Sequence, residues 1–167
     1  MGYKKTLILV RHAKSSWKDS SLNDIHRPLN KRGNKDAPKM GEYMSEHNIL
    51  PEVIFSSPGL RALTTARLIS VKINIDPSDI IVLDDLYTFS SDQLLSVLKS
   101  INDKYDNIMV VGHNPAITDI TNYLSGCNID NIPTCGLAVL KFPLDSWQDL
   151  ERKKGELVRF DYPKKLW

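Results

Sequence analysis

Cysteine is nearly absent: Cys127 and Cys135 are the only two in 167 residues. They have neither the spacing of a metal site nor the number of a disulfide framework, so reduced thiols in a cytoplasmic protein are expected. No apolar run approaches the roughly 20 residues of a membrane span. Lys4 and Lys5 precede only four strongly apolar residues before Arg11, too few for a signal-peptide core. Glycine is sparse as well, and the stretch Gly112 to Pro115 lacks the spacing of a P-loop or a dinucleotide fingerprint. Neither sign of charge dominates: 22 Lys and Arg against 20 Asp and Glu leave a net charge of +2, which gives no argument for nucleic acid. The basic runs Arg152 to Lys154 and Lys164 to Lys165 are short and read as a solvated turn and tail. What remains is the composition of an ordinary soluble protein, 41% hydrophobic and 25% charged. The length suits one domain over residues 1–167 with a full hydrophobic core, and a monomer is expected.

The stretch Leu7 to Trp17 organises the rest. Thr6 to Val10 reads as a buried strand, and Arg11 and His12 follow where that strand should end. Ser15 to Arg27 is a polar connection that should lie over the same strand edge. Ala37, Met40, Gly41 and Met44 then repeat at helical spacing. Either Asn30 caps this helix, with Pro38 inside it, or Asp36 does, with Pro38 in the first turn; the residues leave both open. Glu52 to Phe55 is a second strand. Ser57-Pro58 reads as the next helix start, Ser as N-cap and Pro as first helical residue, with Ala62, Ala66, Ile69 and Ile73 on its face. Ile80 to Leu83 is a third strand, followed by a helix with Ser91 near its start and Leu94, Leu95, Leu98 and Ile101 on one face. Asn107 to Val111 is a fourth strand. Pro115 suits the first turn of a helix carrying Ile117, Ile120, Thr121 and Leu124, which Gly126 should end. Leu137 to Phe142 and Glu156 to Phe160 read as strands added antiparallel. The alternation implies a three-layer α/β/α sandwich with a mostly parallel central sheet and an antiparallel C-terminal addition.

Three strand ends carry the chemistry: Arg11-His12 after the first, Ser56-Ser57-Pro58 leading to Arg61 after the second, and Gly112-His113-Asn114 after the fourth. If these strands are parallel, two arginines and two histidines meet at one sheet edge, where open α/β sheets bind ligands. Guanidinium groups and helix N-termini both favour a phosphoryl group. His26 and His47 have no such placement and read as surface or packing residues.

Arg11-His12-Ala13 resembles the Arg-His-Gly signature of the histidine phosphatase superfamily, which includes the phosphoglycerate mutases. The resemblance continues through Ser56 to Ala66 and Val110 to Pro115. With Arg27-Pro28-Leu29 and the short length, it is nearest to the SixA-like phosphohistidine phosphatase branch. The resemblance implies that His12 is the nucleophile, held in one tautomer by a backbone carbonyl and becoming phosphohistidine. Arg11 and Arg61 would clamp the phosphoryl oxygens, and His113 would donate to one as an imidazolium. Such a cluster needs no metal and no cofactor. The general acid of the mutase-like members is best matched by Asp85, with Asp84 as competitor. Ser15, Lys18, Arg27 and Asn114 are the further candidates for phosphate or substrate contact. Ala13, Lys14 and Lys18 depart from the mutase pattern, Ala13 being tolerable where φ is below zero.

The resemblance implies a phosphohistidine-bearing protein as substrate: larger members of the superfamily enclose small substrates with an insertion near this point, whereas the segment Asp84 to Ser91 is short and suggests an open site. The alternatives are a small-molecule phosphomonoesterase or mutase of the same superfamily and a non-catalytic phosphate-binding module.

Overall fold

The computed structural model describes residues 2–167. Its elements in chain order are β1 (Lys5–Arg11), α1 (Lys31–Glu46), β2 (Val53–Ser56), α2 (Leu60–Ser70), β3 (Ile81–Val82), α3 (Ser91–Lys99), β4 (Asn107–Gly112), α4 (Ala116–Ser125), β5 (Leu137–Phe142), β6 (Glu156–Asp161) and α5 (Pro163–Leu166). The strands form one sheet in the order β3-β2-β4-β1-β5-β6. The pairs β1–β4, β2–β4 and β2–β3 are parallel, whereas β5 and β6 join antiparallel at the other edge.

The near-continuous apolar run of β1 follows from its central place, where both faces are covered. Successive side chains point to opposite faces, so Leu7 and Leu9 enter one core and Ile8 and Val10 the other. The first core is closed by Leu94, Val97 and Leu98 of α3 and Ile117, Ile120 and Leu124 of α4. The second is closed by Ala37, Met40 and Met44 of α1 and Ala62, Ala66 and Ile69 of α2. This is the three-layer sandwich expected from the alternation of elements.

Local chemistry settles the helix starts. Asn30 caps α1, its side chain accepting from the Gly33 N–H at 2.8 Å. Pro38 therefore lies inside the helix. The carbonyl it leaves without a donor belongs to Asn34, on the exposed side, where water can bond it. Ser90 caps α3, and Gly126 ends α4 in the left-handed conformation at φ 77°. The third strand is shorter than expected because 3-10 turns at Pro77–Asp79 and Asp84–Leu86 close on it from both sides. Among the described residues no helix is long and apolar enough to cross a membrane.

Candidate active site

Register brings the three strand ends together. Arg11 of β1 lies beside Gly112 of β4, and Val111 beside Ser56 of β2. One residue further on, the His12 N–H donates to the Gly112 carbonyl and the Ser57 N–H to the Val111 carbonyl, each at 3.1 Å. His12, His113 and Ser57 thus leave the sheet side by side. The cleft above them is about 420 Å³, lined by Arg11, His12, Lys14, Ser15, Trp17, Asp24, Arg27, Arg61, Phe89, His113, Asn114 and Thr134.

His12 is buried, with Nδ1 2.7 Å from the Ala13 carbonyl oxygen. A carbonyl only accepts, so Nδ1 carries the proton and Nε2 presents a lone pair. Arg61 confirms this assignment: its Nε donates to His12 Nε2 at 3.3 Å. Burial, reinforced by the charges of Arg61, Arg11 and Arg27, pushes His12 down to about 4 against the opposing pull of the Ala13 bond. The imidazole is neutral at physiological pH. Ala13 is fully buried, its N–H held by Thr65 Oγ1. It is not among the non-glycine residues with left-handed backbone, so alanine fits here without strain.

The arginines are fixed by hydrogen bonds to neighbouring acceptors. Arg11 Nη1 donates to the Ile132 carbonyl at 2.9 Å, and its buried Nε has no partner. Arg61 Nη1 donates to the Asp24 carbonyl at 2.7 Å and Nη2 to the Asp24 carboxylate at 2.9 Å. Arg27 donates through Nε to the same carboxylate and through Nη1 to Ser15 Oγ. The Trp17 ring stacks on its guanidinium, 3.4 Å from the ring centroid.

His113 differs from expectation. It is 1% exposed, and Nε2 lies 2.7 Å from Ser57 Oγ. Burial, with the nearby charge of Arg61, pushes it down to about 3, so it is neutral in the unliganded protein and not an imidazolium. Ser57 is not the N-cap of α2. The helix begins at Leu60 with Gly59 in the cap position, because the Ser57 hydroxyl is engaged by His113 and by the Gly59 N–H.

Asp24 was not singled out in the sequence. It sits three residues before Arg27 in the polar connection, a spacing that could have flagged an acid–base pair. Burial opposes its ionisation, but hydrogen bonds from Tyr87, Arg61 and Arg27 outweigh this and hold its carboxyl well below the usual range. Tyr87 and Phe89 come from the short segment after β3, and both rings flank His113.

Of the other candidates, Ser15 lines the cleft as the acceptor for Arg27. Asn114 lines it too, but its amide is used internally: it donates to Asn131 and the Ile132 carbonyl and accepts from Thr118. Lys18 is exposed and lines no part of the cleft; Lys14 takes that place. Asp85 is also elsewhere. The turn Asp84–Leu86 buries Leu86 in the core and turns Asp85 outward, into a separate groove with Asp84, Gln93 and Val97. Among the described residues no three His, Cys, Asp or Glu side chains are grouped to hold a metal ion. His26 and His47 are exposed, the latter stacked on Tyr43.

The model of the histidine phosphatase superfamily (branch 1) matches residues 7–89, which span β1, β2 and the first two cleft-forming connections. The chain belongs to the histidine phosphatase superfamily. A chloroplastic protein of Arabidopsis thaliana, itself uncharacterized, is 33% identical over 153 residues, covering 87% of this chain and 70% of that one. A 2,3-bisphosphoglycerate-dependent phosphoglycerate mutase of Mycobacterium leprae is 41% identical over 69 residues, 40% of this chain and only 28% of the mutase. Among solved structures of the superfamily, SixA from Agrobacterium tumefaciens is 26% identical with a TM-score of 0.81, over 97% of this chain and all of SixA.

Proposed function

We propose that this histidine phosphatase removes phosphate from phosphohistidine on a protein. The observation that carries the reading is His12 itself, a buried neutral imidazole whose unprotonated Nε2, which accepts from Arg61 Nε, belongs to a pocket walled by Arg11, Arg27 and Arg61. His12 Nε2 attacks phosphorus, and the bond to the substrate's imidazole nitrogen breaks with its electron pair. That nitrogen takes a proton from solvent as it leaves. Water then attacks the phosphorylated His12, the P–N bond returns its pair to Nε2, and inorganic phosphate departs as a water proton passes to solvent. The arginines neutralise the phosphoryl oxygens throughout.

Two features support this substrate over a phosphomonoester. A leaving alkoxide needs a proton donor, whereas a phosphorylated imidazole is a better leaving group. The carboxylate at the cleft, Asp24, is held ionised by Tyr87, Arg61 and Arg27 and cannot donate. The mouth also carries Trp17 and Phe89, 75% and 45% exposed, apolar surface that suits a protein partner more than a polyol. SixA from Agrobacterium tumefaciens, which bears the name of a phosphohistidine phosphatase, shares the fold over 97% of this chain. A small-molecule phosphatase is the second reading, favoured by the match to part of a phosphoglycerate mutase.

The test is turnover of a phosphohistidine protein against a panel of sugar and aryl phosphates, with acid-labile phosphoenzyme trapped in parallel. Preference for the phosphoprotein, abolished by His12→Ala, is expected. Preference for a sugar phosphate would move the assignment to the second reading.

A further inference from the structure

We infer that Ser57 is a positioning residue that sets the tautomer of His113, so that Nδ1–H is presented to the phosphoryl group as a neutral donor. The inference rests on the reading of the cleft as a phosphoryl site. It comes from counting hydrogen-bond capacity at two buried side chains at the base of the cleft.

Ser57 is fully buried and His113 is 1% exposed. The Ser57 oxygen has two partners, the Gly59 N–H at 3.0 Å and His113 Nε2 at 2.7 Å. His113 Nδ1 is buried with no partner. Two arrangements are possible. If Nε2 carried the proton, it would donate to Ser57, whose own hydrogen would then have no acceptor, and the lone pair on Nδ1 would also be unmatched. Two buried polar groups would be unsatisfied. If Nδ1 carries the proton, the Ser57 hydroxyl donates to Nε2 while its oxygen still accepts from Gly59. Only Nδ1–H is left over. Unsatisfied buried groups are costly, so the second arrangement prevails.

The leftover donor belongs to a ring that lines the cleft, with its centroid 5.4 Å from that of His12. A phosphoryl oxygen on His12 supplies the missing acceptor. The backbone is shaped to the same end. A Cβ at position 59 would lie 3.1 Å from His113 Cε1 and 3.2 Å from Nε2. Glycine there lets the chain lie against the ring edge without pressing it away from Ser57. The Ser57–Gly59 turn therefore serves the histidine before it serves the helix.

The experiment is nitrogen-15 NMR of the two His113 ring nitrogens in the intact protein at neutral pH, with and without inorganic phosphate, together with kinetics. In the wild type, Nδ1 is expected as the protonated nitrogen and Nε2 as the acceptor. Phosphate should shift Nδ1 more than Nε2. Ser57→Ala should give a mixed tautomer signal and lower kcat about tenfold, the factor that one net hydrogen bond sets, with a smaller change in KM. Ser57→Thr, which keeps the hydroxyl, should restore the wild-type tautomer. A wild-type His113 protonated on Nε2 overturns the inference, whether or not any variant folds. So does a Ser57→Ala protein with an unchanged tautomer. Absence of turnover on any phosphorylated substrate removes the phosphatase reading instead, while the tautomer measurement still stands.

Discussion

Acid should destabilise this protein well above the range where carboxylates titrate, and the two site histidines are the cause. An unfolded imidazole titrates near pH 6.5, whereas folded His12 is pushed down to about 4 and His113 to about 3. Between these values the unfolded chain binds protons that the native protein refuses. The neutral pair costs nothing above pH 6.5, and stability falls as the pH drops below it. From pH 7.5 to 5.0 each unfolded imidazole goes from almost unprotonated to almost fully protonated. Both folded rings stay neutral, so each residue costs about 2 kcal/mol and the pair about 4 kcal/mol. Burial of 93% or more at both positions leaves little solvent screening to reduce this. The depressed carboxylates, Asp24 among them, lose their contribution as the pH falls through the ordinary carboxylate range and below it, under this window. A loss of about 4 kcal/mol is a large share of the 5–15 kcal/mol typical of a folded domain. Urea melts at pH 7.5, 6.5 and 5.0 measure it directly. His113→Asn should remove about half of the difference between the outer two values. Equal stability at pH 7.5 and 5.0, or a variant with the full wild-type dependence, would refute the reasoning.

The same geometry sets four further expectations. Asp24→Asn removes the anion that Arg61 and Arg27 share, so inorganic phosphate should inhibit at a concentration up to about fivefold lower; unchanged or weaker inhibition would mean that Asp24 does not compete for these arginines. Asp85→Asn should leave turnover within about twofold of the wild type in steady-state assays, because Asp85 faces a different groove; a large loss would restore it as the acid. Trp17→Ala should raise KM for a phosphoprotein more than for a small aryl phosphate, since it strips exposed apolar surface from the mouth and frees the Arg27 guanidinium. Asn30→Ala deletes the cap of α1 and should lower unfolding free energy by about 1 kcal/mol in a denaturant titration.

The sandwich was legible because its signals are local and redundant. The Leu7 to Val10 run of β1 is apolar since it is buried on both faces, and the helices show their buried stripes at the expected spacing. The strand-end residues Arg11, His12, Arg61 and His113 could be read from order along the chain because parallel strands bring their carboxyl ends to one edge. The rest depends on contacts between segments far apart in sequence. Asp24 meets Tyr87 across 63 residues and Arg61 across 37, and nothing local to it reports either partner. Ser57 carries a strong capping signal, Ser-Pro, yet its hydroxyl is taken by a residue 56 positions away. Asp85 failed for a local reason: Leu86 must enter the core, and a 3-10 turn that buries Leu86 faces Asp85 away. The neutral state of His113 in the unliganded protein was not legible, because burial cannot be read from a strand-end position.

That charge state follows from the balance of the unliganded cleft. Three guanidinium groups, from Arg11, Arg27 and Arg61, face one carboxylate, Asp24, with Lys14 exposed at the rim. Two positive charges near the reacting centre are thus uncompensated, and the protein holds them with acceptors that carry no full charge: the Ile132 and Asp24 carbonyls and the Ser15 hydroxyl. A phosphoryl dianion carries the two negative charges that are missing. An imidazolium at His113 would add a third uncompensated cation beside Arg61, buried and with no anion to meet it. Keeping His113 neutral but with a donor hydrogen on Nδ1 avoids that cost in the empty site. It still leaves a hydrogen bond for the phosphoryl group to complete, so the site is ready for an anion without having to be more cationic than its own fold can hold.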